Sequence, residues 1–203
     1  FDKFKPENIA CFVEFRHMLD VLFYHTKFNF LDEKHIVNSD AVANKVRANP
    51  LPGYIGNIPV SGDFCDSYNL MAVITANPVE PKPIVYSLGR DNGNAASFLA
   101  FISSLIQGRF FQHNEVLVMD NATIHTGGDA DIVEDLLWSS EMDGIQLHVV
   151  VLYLPTRSPE LNPIELIFHI LAQRLRSFKY RMPGHCDQAV LVQATKIMDD
   201  MQY

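Results

Sequence analysis

The sequence predicts an α/β domain, a mixed β-sheet with helices on both faces. Apolar runs of strand and helix character follow one another as helix, three strands, helix, strand, helix, strand, helix, helix. Three strands in a row, then alternating helices and strands, is the order of a mixed sheet covered on both sides. Length and composition agree. A chain of 203 residues, 48% hydrophobic and 20% charged, can bury one sizeable core and is not of disordered composition.

Each element has its own signal. From Glu7 to Tyr24, Ile9, Phe12, Val13, Phe15, Met18, Leu19 and Leu22 recur at helical spacing. Lys27–Asp32 alternates, is β-prone and ends in an acid. Residues 33–67 are polar and broken by Pro50, Pro52, Gly53, Gly56, Pro59 and Gly62, which predicts loop with one short strand around Tyr54–Val60. Tyr68–Ala76 and Pro83–Leu88 read as strands. Asn94 caps a helix over Ala95–Gln107 that Gly108 closes. Glu115–Asp120 reads as a buried strand, and Asp129–Ser140 as a short amphipathic helix carrying Trp138, the single tryptophan and a core residue on this reading.

His148–Leu154 is nearly continuous in apolar residues, which predicts a central strand buried on both faces. Asn162-Pro163 opens a helix with the stripe Ile164, Ile167, Phe168, Leu171, Leu175 and Phe178, and a last helix covers Asp187–Met201. The whole reads as one domain over 1–203: a helical lead-in to about residue 26, a core over about 27–180, and a C-terminal helix from about 181.

The net charge of −8 argues against a simple basic glove for nucleic acid. Cys11, Cys65 and Cys186 are odd in number and lack C-x-x-C spacing, which argues against a disulfide scaffold or zinc knuckle and fits a reducing intracellular compartment. No stretch approaches the roughly 18 apolar residues of a membrane span. The start at Phe1, with neither Met nor a signal-peptide pattern, reads as a portion of a longer protein.

Three acids stand out by position. Asp32 ends the first strand, Asp120 ends a later one, and Glu165 sits in the first turn of a helix. In an open sheet, chemistry gathers where strands end and helices begin. Two carboxylates from neighbouring strands and one from a nearby helix could hold two divalent cations, which activate a water and stabilise the leaving oxygen of a phosphodiester. Mg²⁺ suits such a site, taking hard oxygen ligands and keeping waters for the substrate to replace. Spacing alone leaves other readings open. Glu165 follows Asn162 by three, as in a capping box. Asp120-Asn121 could be an Asx turn, and Asp32-Glu33 a solvated strand end.

The local sequences say more. Asp120-Asn121-Ala122-Thr123-Ile124-His125, followed by Leu154-Pro155-Thr156-Arg157-Ser158-Pro159-Glu160-Leu161-Asn162-Pro163-Ile164-Glu165, resembles the DDE transposases of the mariner-like superfamily, which carry D-N-A-x-x-H at the second acid and L-P-x-x-S-P-x-L-N-P-I-E at the third. Phe28–Glu33 looks like their first-acid strand. The resemblance covers about residues 7–180 and is strongest over 116–168. It implies a ribonuclease-H-like fold, with Asp32, Asp120 and Glu165 as catalytic and metal-binding acids for two Mg²⁺ ions, Mn²⁺ substituting.

The implied activity is cleavage of phosphodiesters at transposon ends and joining of the 3′-hydroxyl to target DNA. The resemblance also implies a homodimer on DNA, a DNA-binding region before residue 1, and work in the nucleus of a eukaryotic host. Asn121, His125 and Asn162 are candidates to support the acids. Arg174, Arg176 and Lys179 are candidates to follow a DNA backbone. One departure is the 44 residues between Asp120 and Glu165, more than in the best-known members, with the extra length over 127–146. Glu160 competes as third acid. Alternative readings are a catalytically silent, host-adopted relative that binds DNA or protein, and a nuclease without strand transfer.

Overall fold

The computed structural model describes residues 4–22, 27–37, 67–76, 82–90, 94–120, 130–156, 158–181 and 187–202. The strand expected around Tyr54–Val60 lies outside them. Helix α1, Pro6–His17, continues as a π-helical turn over Met18–Leu22. Strands β1 (Phe28–Val37), β2 (Ser67–Thr75) and β3 (Ile84–Gly89) follow, then α2 (Ala95–Gln107) and β4 (Val116–Met119). Helix α3 (Ala130–Ser139) leads to a small hairpin, β5 (Glu141–Met142) and β6 (Ile145–Gln146), then β7 (Val150–Tyr153), α4 (Ile164–Arg181) and α5 (Asp187–Asp200).

The main sheet has the order β3-β2-β1-β4-β7. β1, β2 and β3 pair antiparallel, whereas β4 runs parallel to β1 and β7 parallel to β4. This mixed five-stranded sheet with helices on both faces is ribonuclease-H-like, as the sequence reading expected. Because side chains alternate along a strand, β1 serves two layers. Leu31 packs with Met71, Val73, Leu117 and Met119 beneath α2 and α3. On the opposite face Ile36, Leu70 and Ala72 pack under α4 and α5, while Phe28, Phe30, Val116 and Val118 pack under α1.

Helix α2 keeps its expected bounds because both ends are specified. The Asn94 side chain accepts from the Ser97 amide at 2.9 Å and the Asn94 amide donates to the Ser97 hydroxyl at 3.1 Å, a reciprocal cap. Helix α4 is fixed by its stripe: Ile164, Phe168, Leu171 and Leu175 are each at most 4% exposed. Each such burial stabilises by about 1.5–3 kcal/mol.

Four expectations are corrected. Asp32 is not a strand end; β1 runs on to Val37, paired throughout with β2. The His148–Leu154 run forms an edge strand, not a central one: α3 covers one side and α1 the other, so both faces are apolar although one edge is open. Trp138 is 52% exposed, since Val133 and Leu137 take the inward face of α3 and the next position turns outward by about 100°. Ile9 and Val13 of α1 are exposed, because only the side carrying Phe15 meets the sheet.

Strand β3 is tied to α5 by the Tyr86 hydroxyl, which donates to Asp199 at 2.6 Å. Burial first, then this bond and the Asp199 charge, push the phenol well above its usual range. The neutral phenol is thus the form the fold favours. Its contribution is full below the ordinary tyrosine pKa of about 10 and is lost as pH rises through the elevated value. Tyr86→Phe is expected to lower the denaturant midpoint at neutral pH, with the deficit shrinking above pH 10; a deficit that stays constant across that range would contradict this coupling.

Candidate active site

The register of the parallel strands positions two of the acids. The β1–β4 pairing ends at Leu31 opposite Met119, so Asp32 and Asp120 follow side by side on neighbouring strands. Alternation places Asp32 with Phe28 and Phe30, and Asp120 with Val116 and Val118, on the face that α1 and α4 share. Ala72, fully buried opposite Asp32, leaves room above the sheet. Glu165 comes from the first turn of α4, which crosses the same face.

The three acids line one open cleft of about 410 Å³, together with Glu33, Thr156, Ser158 and Asn162. Asn162, 3% exposed, donates its side-chain amide to Asp32 Oδ2 at 3.1 Å, while Asp32 Oδ1 accepts from the Glu33 amide at 2.7 Å. The capping-box reading of Glu165 does not hold, because the Asn162 N–H donates to the Pro159 carbonyl at 2.9 Å. The Asn162 side-chain oxygen instead faces the Ile164 amide, at 3.4 Å. One buried asparagine thus links the start of α4 to the first acid. Among the described residues, no three His, Cys, Asp or Glu side chains form a group that could hold a metal ion.

The other candidates divide. Glu160, in a turn of 3₁₀ helix, does not line the cleft, which favours Glu165 over it. Arg174 and Arg176 are exposed on α4, nine and eleven residues past Glu165, or roughly 13 to 17 Å along the axis. The side chain of Lys179, and residues Asn121 and His125, fall outside what the structure describes. Two participants were not singled out from sequence. Glu33 lines the cleft and accepts from the Asn69 amide at 3.4 Å, and Thr156 lines it as well. Both lie inside the quoted motifs, but only the folded register shows that they reach the cleft.

A ribonuclease-H-like sheet with acids from two adjacent strands and a crossing helix lining one cleft defines the architecture to which the chain belongs. The family model described as "DDE superfamily endonuclease" matches residues 60–182, well over half of the chain, and the chain belongs to this family. No curated protein matches the sequence significantly.

Among solved structures the chain is similar to the Mos1 transposase paired-end complex with left transposon end, at TM-score 0.55 and 17% identity over 95% of this chain. It is similar also to the mariner Mos1 paired-end complex with Mg, at 0.54 and 18% over 95%. In both it spans 58% of the matched chain. Against the catalytic domain of Mos1 mariner transposase it reaches 0.50 and 16%, covering 95% of this chain and 86% of that one. The fold is that of a DDE-family transposase catalytic domain.

Asn162 offers a test of the site apart from the acids. Asn162→Ala removes the donor that holds Asp32. If Asp32 holds a metal in a DNA-cutting site, the variant is expected to lower cleavage by roughly 10–100-fold, the usual cost of losing an outer partner of a metal ligand. Asn162→Asp, which cannot donate when ionised, should be at least as impaired. Unchanged rates in both variants would remove Asn162 from the site.

Proposed function

We propose that the chain is the catalytic domain of a divalent-cation-dependent DNA transposase that cuts phosphodiesters at transposon ends and joins the freed 3′-hydroxyl to target DNA. The observation that carries this is the convergence of Asp32, Asp120 and Glu165, from three separate elements, on one solvent-open cleft. The donor set fits Mg²⁺ or Mn²⁺: hard carboxylate oxygens, no sulfur, and an opening that admits waters and a phosphate. Mos1 paired-end complexes solved with Mg and with Mn support the same choice.

Asp32 and Asp120 would hold the cations, and Glu165, exposed on its helix, would complete the set by turning toward them. Two bound cations would supply activation of the attacking oxygen and stabilisation of the leaving one. The chain's own work is then to hold and orient. Asn162 keeps Asp32 aimed into the cleft. Asn121 and His125 would brace Asp120, and Arg174, Arg176 and Lys179 would follow the DNA backbone beyond the cleft. The partners on this reading are transposon ends and target DNA, handled by two copies of the chain, in the nucleus of a eukaryotic cell.

A second reading, a relative that keeps the fold and binds DNA or protein without cutting, draws on the absence of a three-group metal site among the described residues. A third is a nuclease that cuts without joining. A single assay separates them. The full-length chain is incubated with DNA from the flanks of its own gene, with Mg²⁺ or Mn²⁺, and cutting and joining are read on one gel. Cutting with joining supports the transposase, cutting alone the nuclease. Inertness under every metal, with DNA still bound, sinks the catalytic proposal.

A further inference from the structure

Two histidines stand at the end of the sheet remote from the acids. His113 lies just before β4, whereas Asp120 follows it, and the four residues of that strand alone span about 13 Å. His148 lies just before β7, the parallel neighbour of β4. The two imidazole rings are 5.3 Å apart, centre to centre. His113 is exposed and His148 half-buried. The proposed catalysis uses neither.

We infer that His113 and His148 form a second metal site, a two-histidine clamp for a borderline cation of the Zn²⁺ or Cu²⁺ kind. Protonation is the first argument. His113 Nδ1 donates to the Gln146 backbone carbonyl at 2.6 Å, and His148 Nε2 to the Gln146 side-chain oxygen at 2.9 Å. A carbonyl oxygen only accepts, so these two nitrogens carry the protons. Each neutral ring then keeps one bare lone pair, on His113 Nε2 and on His148 Nδ1. An imidazole whose other nitrogen is tied to an oxygen is the usual form of a metal ligand, because that bond fixes both tautomer and ring.

Spacing is the second. With Zn–N bonds of about 2.0–2.1 Å and a ring centre about 1.2 Å behind each nitrogen, two ligands of a tetrahedral ion have ring centres about 5.3 Å apart. The two rings already stand at that separation. Strain is the third. His148 has a φ of 48°, a left-handed backbone that a ring-bearing side chain seldom adopts, and Trp138 lies against its ring at 4.6 Å. Backbone strain of this kind collects at functional sites.

Imidazole donors suit Zn²⁺, Cu²⁺ and Ni²⁺, whereas Mg²⁺ keeps to oxygen, so the clamp and the acids select different ions. Among the described residues no third His, Cys, Asp or Glu joins the pair, which leaves the remaining positions to water. A bound ion would fasten the turn before β4 to the end of the β5–β6 hairpin.

Trp138, in contact with His148, supplies the test. Cu²⁺ quenches indole fluorescence at contact range and Zn²⁺ does not. In the full-length chain, held in millimolar Mg²⁺, micromolar Cu²⁺ is expected to quench the emission that Trp138→Phe removes, and an excess of Zn²⁺ to restore it. His113→Gln, at an exposed position, should raise the Cu²⁺ concentration for half-quenching by about tenfold or more, since one of two nitrogen donors is lost. His148→Asn, which tolerates the left-handed backbone, should do the same. Quenching of His113→Gln at wild-type concentrations overturns the inference, as does wild-type emission unmoved below millimolar Cu²⁺. Loss of quenching in Asp120→Asn would assign the ion to the acid cleft and overturn it too.

Discussion

Asp120→Asn is expected to abolish divalent-cation-dependent cutting, by at least about 10³-fold, well beyond the 10–100-fold typical of losing an outer-shell partner. The substitution keeps the shape of the side chain and removes its charge. Asp120 stands beside Asp32 where β1 and β4 part, so the wild type holds like charges together on one face. Neutralising one relieves that repulsion. Without added metal, Asp120→Asn should therefore melt no lower than wild type. Added Mn²⁺ should stabilise wild type, since a ligand that binds only the folded state raises its stability, and the variant much less. Calorimetry with and without Mn²⁺ reads this independently of any DNA. Equal Mn²⁺ stabilisation of both proteins would take Asp120 out of the metal site.

Phe168→Ala should produce the largest loss of stability, about 3–5 kcal/mol, the range for removing a buried phenylalanine. Phe168 is 2% exposed and packs with Ile164, Leu171, Leu70 and Ala72, so it pins the first two turns of α4 to the sheet. Glu165 and Asn162 depend on that seating. The variant should show a lower urea midpoint with an unchanged slope. At temperatures where it is still folded, cutting should be weakened less than in Asp120→Asn. A midpoint within about 0.5 kcal/mol of wild type would mean that α4 is held by other contacts.

Much of the fold was legible because local signals agreed with the final structure. Asn94 and Gly108 bracket α2 as they bracket its sequence pattern. That Asp32, Asp120 and Glu165 line one cleft agrees with the motifs around them, and nothing in their spacing required it. What escaped depends on partners distant in sequence. Glu33-Lys34-His35 looks like a strand running out into solvent, yet β2 pairs with it residue by residue. The His148–Leu154 run reports that both faces are covered, and hydrophobicity is silent on how many strands flank it.

The β5–β6 hairpin did leave a mark, Asp143-Gly144. Both residues have positive φ, 54° and 81°, as a two-residue hairpin turn requires. Strands of two residues are too short for alternation to register. Arg109 grips Asp143 with two bonds of 2.8 Å, so the added length between the second and third acids is anchored away from the cleft.

The unequal lengths of the strands have a practical consequence. β1 has ten residues, β4 and β7 four each, and the first acid comes one step after the shorter neighbour stops. Removing a single amino acid between Phe28 and Leu31 would slip that ruler by one notch, and a one-notch slip inverts the direction of every following side chain. The aspartate would then face α2 and α3, and Glu33, with its longer side chain, would move into its place beside Asp120. Tolerance to insertion and deletion should therefore fall abruptly within those four positions, a boundary that a scan of single-codon deletions would draw directly on the sequence.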